Sequence, residues 1–510
     1  MVEASKPSHR LKTQDTSFLY HETPNSPLHL GIVQNFDGEI EFESLIEHFE
    51  GRIHLLPRYR QRLVFAPFNL AHPTLEDDPN FKLRNHFTRH RLPTRATDVE
   101  LTKAAMHAYE SPLERSRPLW ELHLFQGLEG GRSALLWKIH HCIVDGVSAS
   151  QLLATAMDPR PDAPAPVPER EPWAPTNLPN RSKSLLDAVT ALVQNRLDEV
   201  REAERLLISP RRLAERGAAM AGAAAQILQM MSRPIVAAPW NSGLVSRARS
   251  FAWLRVSFGD LSVIRNALGG TVNDVVLSIV SEGAARYLKH HDVPTAGLSL
   301  RIACPVSERR GSEAGAMGNR LSAMFPELPA MPMDPVEGYR SVVEETERIK
   351  AAHGPQEIYS VGAAADLVSP SLQYLISRIT GGIARMIIGP PMGINLVVTD
   401  VPGAQVPMYL AGRQMIEFIG IVPLAGPLGY GVTVVSYNQS LFIGAVADPR
   451  LMPDMEFMKS CIADAFEELK AAAQRVLKGH RNHSHIQRLP QRTLTSATHD
   501  TLNRRQYKHS

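Results

Sequence analysis

At 510 residues, 44% apolar and 21% charged, the chain has a globular composition and room for two large domains or two tightly packed halves. Its 55 basic and 52 acidic side chains leave a formal charge of +3, and no basic stripe interleaved with aromatics runs through its body, which argues against a nucleic-acid partner. Three cysteines, Cys142, Cys304 and Cys461, far apart and without C-x-x-C spacing, argue against a disulfide framework or a zinc cluster and fit a reducing cytoplasm.

Met1 to Pro7 lacks the basic-then-apolar pattern of an export signal, so secretion is not expected. Residues 1–160 read as alternating strands and helices. Leu119 to Phe125 alternates as a half-buried strand, Gly127 to Gly131 supplies a turn, and Ser133 to Ile139 reads as a buried strand, together a hairpin. Val147 to Met157 favours helix. Seven prolines between Pro161 and Pro179 mark a linker, and Leu185 to Met231 reads as one or two crossover helices, so residues 161–233 join two halves. In the second half, 234–477, Phe251 to Val256 and Ile394 to Thr399 read as strands and Thr271 to Leu288 as a helix. Gly431 to Tyr437 and Leu441 to Val446 form a hairpin turned at Asn438-Gln439-Ser440, and Met455 to Leu477 is a closing helix. The apolar stretch Ile383 to Val398 is interrupted by Arg385, Pro390 and Pro391 and falls short of the ~20 clean residues of a spanning helix, so membrane contact is expected to be peripheral. The basic tail 478–510 reads as disordered and carries no expected catalytic role.

The chemistry concentrates at the end of the predicted hairpin, in His140-His141-Cys142-Ile143-Val144-Asp145-Gly146. Histidine's unperturbed pKa of ~6.5 suits a general base acting on a hydroxyl. Adjacent strand residues face opposite ways, so one imidazole can open onto a cleft while the other packs behind it; His141 is the expected base and His140 its structural companion. Asp145, four residues on, is placed to pair with an arginine or cap the following helix. No further His or Cys stands at metal spacing nearby, and Cys142 reads as a packed thiol. The second pair, His290-His291, reads as the solvated end of a helix.

The segment resembles the H-H-x-x-x-D-G signature of CoA-dependent acyltransferases, shared with condensation domains of peptide synthetases. Thr13 to Thr23, Ser111 to Glu121 and Thr271-Val272-Asn273-Asp274 narrow the resemblance to the bacterial wax ester synthase/diacylglycerol acyltransferase family, and Pro305-Val306-Ser307, Gly318 to Leu321 and Val401-Pro402-Gly403 fit it too. The resemblance implies two similar α/β halves of chloramphenicol-acetyltransferase type, with mixed sheets and an active-site tunnel between them. It implies acyl-CoA as co-substrate with no other cofactor, a diacylglycerol or fatty alcohol as acceptor, no acyl-enzyme, and a cytoplasmic protein peripheral to membrane or lipid inclusions. By position it makes His141 the base and His140 its companion, with Asp145 and Gly146 shaping the turn. Pro118, Leu119 and Trp120 match a Pro-Leu-Trp element whose plain reading is strand packing. Asn273 and Asp274 fit either a substrate or oxyanion role or a helix capping box opened by Thr271. Thr399-Asp400 stands where many members carry Ser-Asn, which removes an expected amide. The alternatives are an acyltransferase using a carrier-protein thioester and a non-catalytic protein of lipid inclusions.

Overall fold

In a computed structural model, residues 9–144, 155–164, 235–307, 321–352 and 393–486 are described, with a few isolated positions between 166 and 218. The first part contains β1 (His9–Arg10), α1 (Thr13–His21), β2 (His29–Asp37), α2 (Phe42–Glu50), β3 (Gln61–Val64), β4 (Thr74–Asp77), β5 (Phe87–Ala96), α3 (Asp98–Tyr109), β6 (Trp120–Leu128) and β7 (Ser133–His140). There follow β8 (Ser250–Ser257), α4 (Phe258–Leu268), α5 (Val272–His290), β9 (Ser299–Ser307), β10 (Leu321–Met324), β11 (Glu327–Pro329) and α6 (Pro335–Ala352). The chain ends with β12 (Leu396–Pro402), β13 (Tyr409–Leu410), β14 (Arg413–Ile421), β15 (Tyr430–Tyr437), β16 (Ser440–Ala447) and α7 (Met455–Ile486).

Two large mixed sheets form the body. The first runs β13-β14-β2-β7-β6-β5, the second β10-β9-β12-β15-β16-β8 with β11 beside β9, and β1-β4-β3 makes a small third sheet. Each large sheet carries parallel pairs among antiparallel ones: β5 with β6, and β12 with both β9 and β15. The strand β7 is buried at every residue because it lies between β2 and β6 with both faces covered.

Local signals place the hairpins where the residue pattern predicts them. The β6–β7 turn uses Gly130 and Gly131, both at φ 69°, and the β15–β16 turn puts Asn438 and Gln439 at φ 44° and 60°, the left-handed pair a two-residue hairpin requires. The helix expected from Thr271 starts there, with Thr271 as its N-cap. The closing helix runs past Leu477 to Ile486. Most of the predicted helix at Val147 to Met157, the crossover helices at 185–231 and most of Ile383 to Val398 lie outside the described residues.

One feature escapes sequence order: β13 and β14, late in the chain, join the first sheet, with β14 antiparallel to β2 from Gln414 opposite Asp37 to Ile421 opposite Gly31. The second sheet lies against that crossing strand at bare backbone. A Cβ at Gly420 would sit 2.3 Å from Thr433 Cγ2, and one at Gly444 would sit 2.6 Å from the Gly420 carbonyl oxygen. Glycine is needed here for close approach, since neither position has a positive φ. Among the described residues no single helix is long and apolar enough to cross a membrane. The bent pair α4–α5 passes on length and composition together, but much of it is core of the second half.

Gly420→Ala is expected to lower stability by about 1–3 kcal/mol in urea unfolding by forcing the sheets apart. Gly259→Ala, where a Cβ meets nothing nearer than 3.7 Å, should change it by about 0.5 kcal/mol or less.

Candidate active site

The final residues of β7 are pinned by backbone. The His140 N–H donates to Leu119 O at 3.0 Å and the His141 N–H to Leu28 O at 3.0 Å, so the strand end is clamped between the Pro-Leu-Trp element and the start of β2. His140 is 1% exposed. Its Nδ1 accepts the Cys142 N–H at 3.1 Å, which leaves the ring hydrogen on Nε2, 3.3 Å from Glu22 Oε1.

Glu22, at the C-terminal end of α1, ties four segments together. Its Oε1 also accepts the Leu28 N–H at 3.1 Å, and its Oε2 takes the Arg115 guanidinium at 2.7 Å, while Arg115 also donates to Leu19 O. Burial alone would raise this carboxyl, but the neighbouring His140 ring and the Arg115 guanidinium outweigh it and hold it at about 2. Three stretches noted in the sequence thus meet at one carboxylate: Thr13 to Thr23 through Glu22, Ser111 to Glu121 through Arg115, and the double histidine through His140.

His141 is the first residue past β7. Its ring stacks on Phe18 of α1, with centroids 3.9 Å apart and planes 10° from parallel. Burial, assisted by neighbouring His140, pushes its pKa down to about 4, so the imidazole is neutral across physiological pH. Beside it Arg58 donates to Ile143 O at 3.1 Å. Asp145 and Gly146 lie outside the described residues. Cys142 is buried, its thiol pushed well up by burial, which suits a packed side chain rather than a nucleophile. Pro118, Leu119 and Trp120 are buried. Trp120 donates from Nε1 to Tyr59 O at 2.9 Å and stacks on His86, so this element packs the core and supplies Leu119 O to the motif.

In the second half, Asp274 is occupied by structure. Its Oδ2 accepts the Thr271 N–H and hydroxyl, each at 2.8 Å, its own N–H donates to Thr271 Oγ1, and its Oδ1 accepts the Thr346 hydroxyl at 2.8 Å. That is a capping box with an added tie to α6. Asn273 is exposed and lines a cavity of about 60 Å³ with Cys304, Pro305, Lys350, Val398 and Asp400. Asp400 keeps accessible surface while surrounding protein desolvates it, as for a side chain opening into a cavity. Burial raises its carboxyl to about 6 against the opposing hydrogen bond from the Val401 backbone. A wider cleft of about 960 Å³ lies between α3, β8 and the start of α7. Neither cavity is lined by His140 or His141. Among the described residues no group of three or more His, Cys, Asp or Glu is placed to hold a metal. His290 and His291 are exposed at the end of α5, His291 3.3 Å from Asp454.

Residue types alone did not single out Phe18, Glu22, Arg58 or Arg115. Glu22, Phe18 and Arg115 do lie inside the stretches that carried the family resemblance.

Two family models match: the wax ester synthase/diacylglycerol acyltransferase catalytic domain over residues 11–276 and the corresponding C-terminal domain over 317–470. The chain belongs to the wax ester synthase/diacylglycerol acyltransferase family. It is an acyltransferase of that family. A Mycobacterium tuberculosis protein named as a diacylglycerol O-acyltransferase is 30% identical over 476 residues, 90% of each chain. A second from the same species, carrying the same activity in its name, is 28% identical over 474 residues, 91% of this chain and 96% of the relative. Among solved structures, the wax ester synthase/diacylglycerol acyltransferase of Marinobacter aquaeolei VT8 superposes with a TM-score of 0.62 at 22% identity, over 91% of this chain and all of that one. The trichothecene 15-O-acetyltransferase of Fusarium sporotrichioides does so at 0.57 and 12%, over 90% and 94%. These likenesses place the fold among the chloramphenicol-acetyltransferase-like two-sheet proteins, as the sequence predicts.

Two substitutions probe the carboxylates. The depressed Glu22 stabilises the fold fully above its unfolded value of 4.5 and loses that contribution as pH falls toward 2. Glu22→Gln is therefore expected to cost about 1–3 kcal/mol at pH 7 in urea unfolding, with the deficit narrowing below pH ~4.5. Asp400 has the opposite sign: its raised carboxyl favours the folded state below the unfolded value of 3.8, and that contribution is lost as pH rises through about 6. Melting curves should show Asp400→Asn gaining more over the parent at pH ~8 than at pH ~5.

Proposed function

We propose that this protein transfers a long acyl chain from acyl-CoA to the free hydroxyl of diacylglycerol, giving triacylglycerol and free CoA, and that it also accepts long-chain alcohols to give wax esters. The arrangement that carries the chemistry lies at the end of β7: the buried His140 ring sits between the Cys142 N–H and Glu22, and His141, the next residue, stacks as a neutral ring on Phe18. The relatives' names supply the acceptor class.

In this reading the acceptor oxygen attacks the thioester carbonyl as His141 takes its proton. The tetrahedral intermediate then collapses, expelling the CoA thiolate, which receives that proton from the imidazolium. Thiols have pKa values of ~8.5, so the leaving group departs unaided and no cofactor beyond acyl-CoA is needed. A base of pKa about 4 is weak in the free enzyme, but it is fully deprotonated at neutral pH. The negative charge developing on the carbonyl oxygen stabilises the imidazolium as it forms. Asn273, exposed at the N-terminal turn of α5, is assigned to that oxyanion. Asp274 is given no contact with substrate, because its oxygens are used in the cap. Product and acceptor are insoluble, so the protein works from the cytoplasmic side at a membrane or lipid-inclusion surface.

Purified protein given labelled palmitoyl-CoA and dioleoylglycerol should form triacylglycerol, and His141→Ala should reduce the rate by about 10²–10⁴. The kcat/KM of the parent should be flat from pH ~5 to ~8, with its acid limb near pH ~4. An unchanged rate in the His141 variant would contradict the mechanism.

A further inference from the structure

The β3–β4 loop presents two aromatic rings to water. Of the large apolar side chains exposed among the described residues, only Phe65 and Phe68 are aromatic, at 39% and 86%. Phe68 is also held at φ 56°, with Asn69 at 54°, in the left-handed region that bulky residues avoid. Two unfavourable features thus coincide at one residue, a strained backbone and a solvated aromatic, as at positions whose geometry serves binding. The tight turn that enforces this is bonded through Asn69 N to Ala66 O and Leu70 N to Pro67 O.

From Leu63 to Leu75 the only ionisable side chain is His72. At the base of the loop stand two cations: Arg10 donates to His72 O at 2.7 Å, and exposed Lys12 follows Leu11, whose N–H bonds Pro73 O; the carboxylates of Glu76 and Asp77 lie further down β4, Glu76 opposite Arg62. An uncharged aromatic tip above a cationic base matches a phospholipid surface, apolar below and phosphate-bearing above. The loop is also joined to the site. His72 lies 3.2 Å from Thr16 Oγ1 and 3.4 Å from the Tyr20 hydroxyl, both on α1, the helix whose Phe18 stacks on His141.

We propose that the β3–β4 loop, with Phe65 and Phe68 at its tip, is the element by which this protein inserts into a phospholipid surface, bringing α1 and His141 to the side from which a membrane-dissolved acceptor arrives. The insertion stands on the loop alone, whereas its role in delivering the acceptor rests on the acyl transfer proposed above.

The test is flotation of the full chain with phosphatidylcholine–phosphatidylglycerol vesicles containing dioleoylglycerol, with acyl transfer measured on the same vesicles and on a short water-miscible alcohol. Phe65→Ser with Phe68→Ser should weaken vesicle binding by about tenfold or more, slow transfer to vesicle dioleoylglycerol, and leave transfer to the soluble alcohol unchanged. Phe68→Gly separates binding from folding, because glycine relieves the strained φ: its melting temperature should not fall, while its vesicle binding should. Failure of the parent to float, or equal flotation of parent and double variant, overturns the docking surface. Flotation lost in the double variant, with no acyl transfer by the parent to either acceptor, upholds the surface and overturns the catalytic reading instead.

Discussion

The site depends on how one buried strand ends. The strand β7 ends at His140 and His141 begins the turn after it; the His140 ring accepts the Cys142 N–H at Nδ1 and has Glu22 Oε1 3.3 Å from Nε2. Because Glu22 is in turn fixed by the nearby Leu28 N–H and by Arg115, 93 residues on, the position of the His140 ring is set by segments that only the fold brings together. His141 follows directly on that fixed residue. His141 has only to continue the strand for one residue, bonded to Leu28 O, to meet Phe18. Desolvation then does the electrostatic work: a half-buried ring with protein packed around it and another imidazole beside it stays neutral, the state a general base requires.

The same region is where the two halves are most closely joined. The strand β14 comes from the second half, yet it lies beside β2, and its last residue, Ile421, pairs with Gly31 near the start of β2. A Cβ on Gly31 would come within 2.7 Å of the Tyr109 ring and 2.9 Å of Ile421 Cβ. That start of β2 supplies Leu28 O to His141 and pairs His29 with His140. His29, whose Nε2 lies 2.7 Å from Tyr109 O, is pushed down to about 3 by burial, with Lys138 adding to it, so a second neutral imidazole backs the site. Displacing β14 would therefore reach the histidines through two strands, which links the glycine contacts between the sheets to the chemistry.

Much of this was legible in the residues because the signals are local. Alternation and glycines gave the β6–β7 hairpin, the Asn438-Gln439 turn gave β15–β16, and Thr271 with Asp274 gave a cap that the structure contains in full. What could not be read was non-local. Nothing in 409–421 announces that it pairs with β2, because partner choice in a sheet is set by tertiary packing rather than by strand propensity. Glu22 and Arg115 were inside recognised stretches, but a glutamate at a helix end and an arginine in a polar loop read as surface charges until the fold brings them together 2.7 Å apart. At Asp274 one pattern fits two purposes; the capping box is formed, and the added bond from the Thr346 hydroxyl on α6 is a tertiary contact that the local pattern could not reveal.

The most direct test of the central claim is the protonation state of the His141 imidazole. Nitrogen-15 spectra of histidine-labelled protein, with the His141 signals assigned by their loss in His141→Gln, would follow its titration. The account predicts a neutral ring at pH ~5 to ~8 and a midpoint of about 4. A midpoint at or above the unperturbed ~6.5 would contradict it, because the ring would then be solvated or charge-paired rather than held as a buried neutral base.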